Sequence, residues 1–64
     1  MIEDEKDLRR EFWNQNRILL RLHYRSGRRQ NAYPAEVRTA WVDFVDYMQK
    51  SGEITEELAD EATL

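Results

Sequence analysis

The residues with the clearest capacity for chemistry are the arginines in the first half of the chain. Arginine and asparagine recur there at three- and four-residue intervals, at Arg10, Asn14, Arg17, Arg21 and Arg25, and are followed by Arg28 and Arg29. On one continuous helix this spacing predicts a single polar ridge. Because the planar guanidinium donates paired hydrogen bonds to carboxylates, phosphates and guanine edges, the ridge predicts a surface for an anionic partner.

Helix stability does not explain this ridge. Arg17, Arg21 and Arg25 would place like charges four residues apart, which costs a few tenths of a kcal/mol per pair. An acidic group is therefore expected nearby, from nucleic acid, from another protein or from the chain itself. Within the chain, the acidic residues of the last segment are Glu56, Glu57, Asp60 and Glu61.

A second feature is an apolar ledge formed by Trp13, Leu20 and Tyr24, which recur at intervals of seven and four residues. The ledge lies about 100° around the predicted helix from the stripe that faces the core. It must be covered by the third helix, by another copy of the chain or by a different protein. Trp, Tyr and Arg dominate interface hot spots, so the ledge and the arginines together predict a docking face.

A helical scaffold must position these side chains. Leu8, Phe12 and Leu19 recur at helical spacing, and no Pro or Gly interrupts the segment, so a first helix is expected at about 3–25. Gly27 is expected to end it, because glycine tolerates the left-handed cap conformation.

The sequence predicts two further helices after the first. A second helix is expected at about 34–50, with Pro34 in its first turn and Gly52 just beyond its end. A short third helix is expected at about 55–63, with Thr55 as its N-cap. The fold class is therefore all-α, a single domain over 1–64 built as an antiparallel helical hairpin with a short third helix at its C-terminal end.

The predicted core is thin for 64 residues. Its members are Leu8, Phe12, Leu19, Leu22, Val37, Trp41, Phe44, Val45 and Met48. A chain of this size buries only about 60% of its unfolded surface, so a lone domain is marginally stable. We therefore expect a homodimer or higher oligomer.

The net charge of −3 hides an uneven distribution. Residues 1–32 carry eight Lys or Arg and five Asp or Glu, whereas residues 33–64 carry two and eight. One half is basic (+3) and the other acidic (−6), which lets the halves attract each other within one chain or between two copies.

Several functional classes are disfavoured. The chain has no cysteine and one histidine, His23, which is expected at the edge of the core, so neither catalysis nor a metal or other cofactor is expected. The longest apolar run, Ile18–Leu20, is far short of the ~20 residues of a membrane span, so we expect a soluble cytoplasmic protein with no membrane partner.

The function that these patterns favour is a non-enzymatic protein–protein interaction module, of the regulator, adaptor or inhibitor type, that meets an acidic patch on its partner. The predicted contact residues are Arg10, Trp13, Arg17, Leu20, Arg21, Tyr24, Arg25, Arg28 and Arg29. The alternative is nucleic-acid binding through the arginine ridge and the following loop. A helix-turn-helix is disfavoured, since its second helix would bring Glu36, Asp43 and Asp46 to the groove.

Overall fold

The computed structural model describes residues 1–64 and contains four α-helices and no β-strand. The helices are α1 (Glu5–Gln15), α2 (Arg17–His23), α3 (Ala35–Lys50) and α4 (Glu56–Glu61), and a 3₁₀ turn at Gln30–Ala32 precedes α3. The all-α prediction is confirmed, and the second and third predicted helices correspond to α3 and α4. The third is shorter than predicted, because the backbone becomes extended at Ala62.

The prediction of one continuous first helix over 3–25 is wrong, because Asn16 interrupts it. The Asn16 backbone has φ −125° and ψ 57°, and its side-chain Nδ2 donates a hydrogen bond to the Phe12 carbonyl at 2.8 Å. Asparagine competes for backbone hydrogen bonds in this way, which disfavours continuation of a helix. The segment is therefore divided into α1 and α2.

Gly27 adopts the left-handed conformation, with φ +81°, but it does not cap α2. The helix ends at His23, and Tyr24 is already extended. The Arg28 N–H donates to the Arg25 carbonyl at 3.1 Å and closes a tight turn with Gly27 in its third position. Such a turn favours glycine there, because the position requires positive φ.

The end of α3 is a Schellman motif centred on Gly52, whose φ is +81°. The Gly52 N–H donates to the Gln49 carbonyl at 3.1 Å, and the Glu53 N–H donates to the Met48 carbonyl at 2.9 Å. Four residues later α4 begins, and the predicted N-cap is confirmed by the Thr55 hydroxyl, which accepts from the backbone N–H at the third helical position.

The helices α1 and α3 run antiparallel. The start of α1 lies beside the end of α3, where the Ile2 N–H donates to the Glu53 carbonyl at 2.9 Å. The end of α1 lies beside the start of α3, where the rings of Trp13 and Tyr33 have centroids 5.5 Å apart. In this arrangement Phe12 of α1 makes an edge-on contact with Trp41 of α3, with ring centroids 5.3 Å apart.

The core is one cluster of buried apolar side chains. Its members are Leu8, Phe12, Trp13, Tyr33, Val37, Trp41, Phe44, Met48, Ile54 and Leu58. Leu19 and Val45, both predicted in the core, are only partly buried against it. The prediction for Leu22 is wrong, since its side chain is 59% exposed. The interruption at Asn16 explains this result, because α2 does not continue the apolar face of α1.

Candidate binding groove

An open groove of about 940 Å³ lies between the outer face of α1 and the connection from α2 to α3. Six of the ten Lys and Arg residues line it, and none of the 13 Asp and Glu residues does. The six are Lys6, Arg9, Arg10, Arg25, Arg28 and Arg29. We call this surface the basic groove. A chain with a net charge of −3 thus has a strongly positive local surface, which favours an anionic partner.

The cations of the basic groove differ in whether they have an acidic neighbour. Arg9 lies 3.6 Å from a Glu5 carboxylate oxygen, and Arg10 lies 3.3 Å from one of Asp7. The other four have no carboxylate oxygen within 4.0 Å, and they are Lys6, Arg25, Arg28 and Arg29. We call these four the unpaired cations.

The acidic residues of α4 do not neutralise the arginines. Glu56, Glu57, Asp60 and Glu61 are all exposed, and none of them lies within 4.0 Å of an arginine nitrogen. Intramolecular pairing with the third helix was one predicted source of the missing acidic group, and the structure does not contain it. The unpaired cations therefore have no carboxylate neighbour from α4.

Backbone and aromatic contacts hold two of the unpaired cations in place. Arg28 donates from Nη1 to the His23 carbonyl at 3.0 Å, and its guanidinium carbon lies 5.2 Å from the ring centroid of Tyr33. Arg25 donates from Nη1 to the Tyr24 carbonyl at 2.7 Å. Each guanidinium has five N–H donors, so most of them remain free for a ligand.

Trp13, Tyr24 and Tyr33 form the aromatic floor of the basic groove, and in this arrangement the predicted apolar ledge is covered by the chain itself. Trp13 is only 8% exposed, and its ring packs against Tyr24 and Tyr33 with centroids 5.4 and 5.5 Å away. The ledge was expected to be covered by the third helix or by another molecule, whereas Tyr33 from the connection to α3 packs over Trp13. Leu20 is partly buried, and Tyr24, which is 41% exposed, is the most accessible aromatic residue of this surface.

Most of the predicted contact residues meet in the basic groove. Those that line it are Arg10, Trp13, Leu20, Tyr24, Arg25, Arg28 and Arg29. Arg17 and Arg21 do not line it, although Leu20 of the same helix does, so the two arginines lie on another face of α2. The predicted ridge is therefore not continuous, and these two arginines are exposed elsewhere on the surface.

Two groove cations, Lys6 and Arg9, were not among the predicted contact residues. Both lie in the first turns of α1 and line the groove beside Arg10 and Trp13. A signal for them is present in the sequence, because the intervals from Lys6 to Arg10 and from Arg9 to Trp13 are four residues, which places each pair on one helix face. They were not predicted because both precede Arg10, where the predicted ridge begins.

The segment after α4 forms one end of the basic groove. The Thr63 carbonyl accepts a hydrogen bond from Arg9 Nη1 at 3.1 Å, and the Leu64 N–H donates to Gln30 Oε1 at 3.3 Å. This segment therefore joins α1 to the 3₁₀ turn. It also places α4 next to the groove on the protein surface.

The other polar features form no comparable site. No group of three or more His, Cys, Asp or Glu side chains is arranged to hold a metal ion. His23 is partly buried, and its Nε2 lies 3.9 Å from Oε1 of Glu36. No helix has both the length and the apolar composition needed to cross a membrane.

The basic groove is thus the candidate site, defined by its charge and its aromatic floor. No protein-family model, curated protein or solved structure matches this chain.

Proposed function

We propose that the protein is a non-enzymatic binding module whose basic groove docks an acidic segment of another protein. The observation that carries this proposal is the composition of the groove, which is lined by six Lys or Arg residues and by no Asp or Glu residue, although acidic residues outnumber basic ones in the chain. Four of those cations have no acidic neighbour. A surface that concentrates uncompensated charge in this way favours ligands of the opposite sign.

The chemistry of the groove suits carboxylates on a folded or extended segment. Arg25 and Arg29 are exposed and offer planar donor pairs that match a carboxylate, and charge-assisted bonds of this type are about twice as strong as neutral ones. Tyr24 beside them offers an accessible ring for an apolar side chain of the partner. Arginine and tyrosine are typical of the residues that contribute most to binding energy at interfaces.

The distribution of charge favours a short acidic segment over a long polyanion. Residues 33–64 have a net charge of −6, so a nucleic acid that extends beyond the groove is repelled by the rest of the molecule. A short protein segment can be confined to the groove and avoids this repulsion. The acidic protein partner is therefore the function that we favour.

Single-stranded nucleic acid is a second candidate because of one observation. Tyr24 is partly exposed among unpaired cations, and an accessible ring next to arginines is how many proteins stack a base while they contact phosphates. This function predicts binding that does not depend on sequence and that falls steeply as salt is raised.

Affinity capture from a host lysate tests the proposal with two variants of equal charge. Arg25→Gln/Arg29→Gln removes two unpaired cations from the groove, and Arg17→Gln/Arg21→Gln removes two exposed arginines outside it. We expect the wild-type protein and the control variant to retain a stoichiometric protein partner after nuclease treatment, and the groove variant to lose it. Loss of every partner on nuclease treatment would support nucleic acid instead. Equal capture by both variants would show that the groove is not the docking site.

A further inference from the structure

We infer that the basic groove of one copy of the chain receives the acidic face of α4 from a second copy, so that two copies form a reciprocal dimer. This inference rests on the proposed function, because it takes the groove to be a receptor for acidic segments. It goes further by naming the segment that fits.

The outer face of α4 has the chemistry that the groove lacks. Its carboxylates belong to four exposed residues, Glu56, Glu57, Asp60 and Glu61. None of the four has a cation within 4.0 Å. Two pairs of them are spaced at four residues, so they form one strip along the helix. Four unneutralised carboxylates on α4 thus match the four unpaired cations of the groove.

The acidic strip of α4 cannot bind in the basic groove of its own chain. The side chain of Leu58 holds α4 against the core and is only 9% exposed, so the carboxylates point outward. The segment that follows is tied down by the bond from Arg9 to the Thr63 carbonyl. The acidic strip and the basic groove are therefore neighbours on one surface without being partners, and only another molecule can join them.

This adjacency indicates a closed dimer. Thr63 and Leu64 come directly after α4 and also line the groove, so the two charged surfaces lie side by side. A two-fold rotation then places each groove against the other copy's acidic strip, and both contacts form in one interface in which each copy uses the same residues. Such an interface also covers Tyr24, the exposed aromatic side chain of the groove.

Charge reversal provides a direct test, since each exchange disrupts one side of the contact. Arg25→Glu/Arg29→Glu replaces two of the six groove cations by carboxylates, and Asp60→Lys/Glu61→Lys makes the end of α4 basic, where the helix dipole favours positive charge. In each variant alone, the exchanged residues place like charges on the two sides of the contact and weaken it. When the two are mixed, both contacts in the heterodimer pair opposite charges. Arg17→Glu/Arg21→Glu, outside the groove, is the control for altered net charge.

Sedimentation at micromolar concentration and low salt measures the outcome, with circular dichroism to show that every variant is folded. We expect the wild type and the control to be dimers. Each reversed variant should be at least tenfold weaker in self-association, and their equimolar mixture should return to a dimer. A monomeric wild type, a dimer that tolerates either reversal, or a mixture that stays monomeric would overturn the inference.

Titration of the same samples with a glutamate-rich peptide separates this inference from the proposed function. Peptide binding by a monomeric wild type that requires Arg25 and Arg29 would overturn the dimer alone and leave the proposed function intact. Failure of the groove to bind both the peptide and a second copy would overturn both.

Discussion

Asn16 is the residue that decides how the basic side chains of the first half are distributed. Its side-chain bond to the Phe12 carbonyl lies at the end of α1, and Arg17 and Arg21 are carried on a separate helix, α2. Arg10, Arg25, Arg28 and Arg29 meet in the groove, whereas Arg17 and Arg21 do not. The types of residue in the site were therefore largely predictable, but which of the arginines line the groove depends on how the segment after Asn16 folds back against α1.

Trp41 tests the packing between α1 and α3. Its ring is 2% exposed and contacts Phe12 and Phe44. We expect Trp41→Ala to lower the free energy of unfolding by about 3–5 kcal/mol, because it leaves a large cavity, and this is enough to unfold a marginal domain. Urea unfolding followed by circular dichroism measures the loss. Tyr47→Ala, on the same helix but at a 64% exposed position, should change stability by less than about 0.5 kcal/mol, and equal effects would contradict this packing.

Trp13 is expected to act through stability rather than through direct contact with a partner. Because the ring is buried beneath Tyr24 and Tyr33, Trp13→Ala should cost about 3–5 kcal/mol of unfolding free energy. Tyr24→Ala should cost clearly less, since that side chain is partly exposed. Thermal unfolding of the two variants compares them. A Trp13→Ala protein as stable as the wild type would show that the floor of the groove is open to a partner.

At the scale of elements, the end of α3 and the start of α4 were predictable because their signals act locally. Gly52 and Thr55 determine a helix end and a helix start through their own backbone and side chain. The end of α1 was not predicted, since the first segment contains neither Pro nor Gly and Asn16 is a weaker breaker that also occurs within helices. Tyr33 was not predicted as a core residue, because it lies in a loop and its position cannot be read from the spacing of apolar residues along a helix.

Gly52 tests what determines the C-terminal end of α3. No heavy atom beyond its two chain neighbours lies within 4 Å of the position that a Cβ would occupy, so a substitution there is opposed mainly by backbone strain. We expect Gly52→Ala to destabilise the protein by about 1–2 kcal/mol, because φ of +81° is unfavourable for a residue with a Cβ. Gly52→Asn should cost less, since asparagine tolerates the left-handed region better. Chemical denaturation of both variants gives the order, and an alanine variant as stable as the wild type would contradict the Schellman cap.

At the scale of the whole molecule, the separation of charge is the property that organises the surface. The sequence predicts a basic and an acidic half, and the structure gathers six cations into one groove while the four carboxylates of α4 remain apart from the arginines. The pattern of charge along the chain predicts an anionic partner. It could not predict that the acidic side chains of α4 would form no ion pair with the arginines, since this depends on how Leu58 packs α4 against the core.

The central claim is that the basic groove, rather than the arginine content of the chain, binds an acidic protein segment. Isothermal titration of a glutamate-rich peptide into the wild type, Arg25→Gln/Arg29→Gln and Arg17→Gln/Arg21→Gln tests this claim most directly. We expect the groove variant to bind at least about tenfold more weakly, because it loses charge-assisted hydrogen bonds worth about 1.5–3 kcal/mol each. The control variant should bind within about twofold of the wild type at physiological ionic strength, where exposed charges outside the groove are screened. Equal weakening of the two variants would contradict the claim.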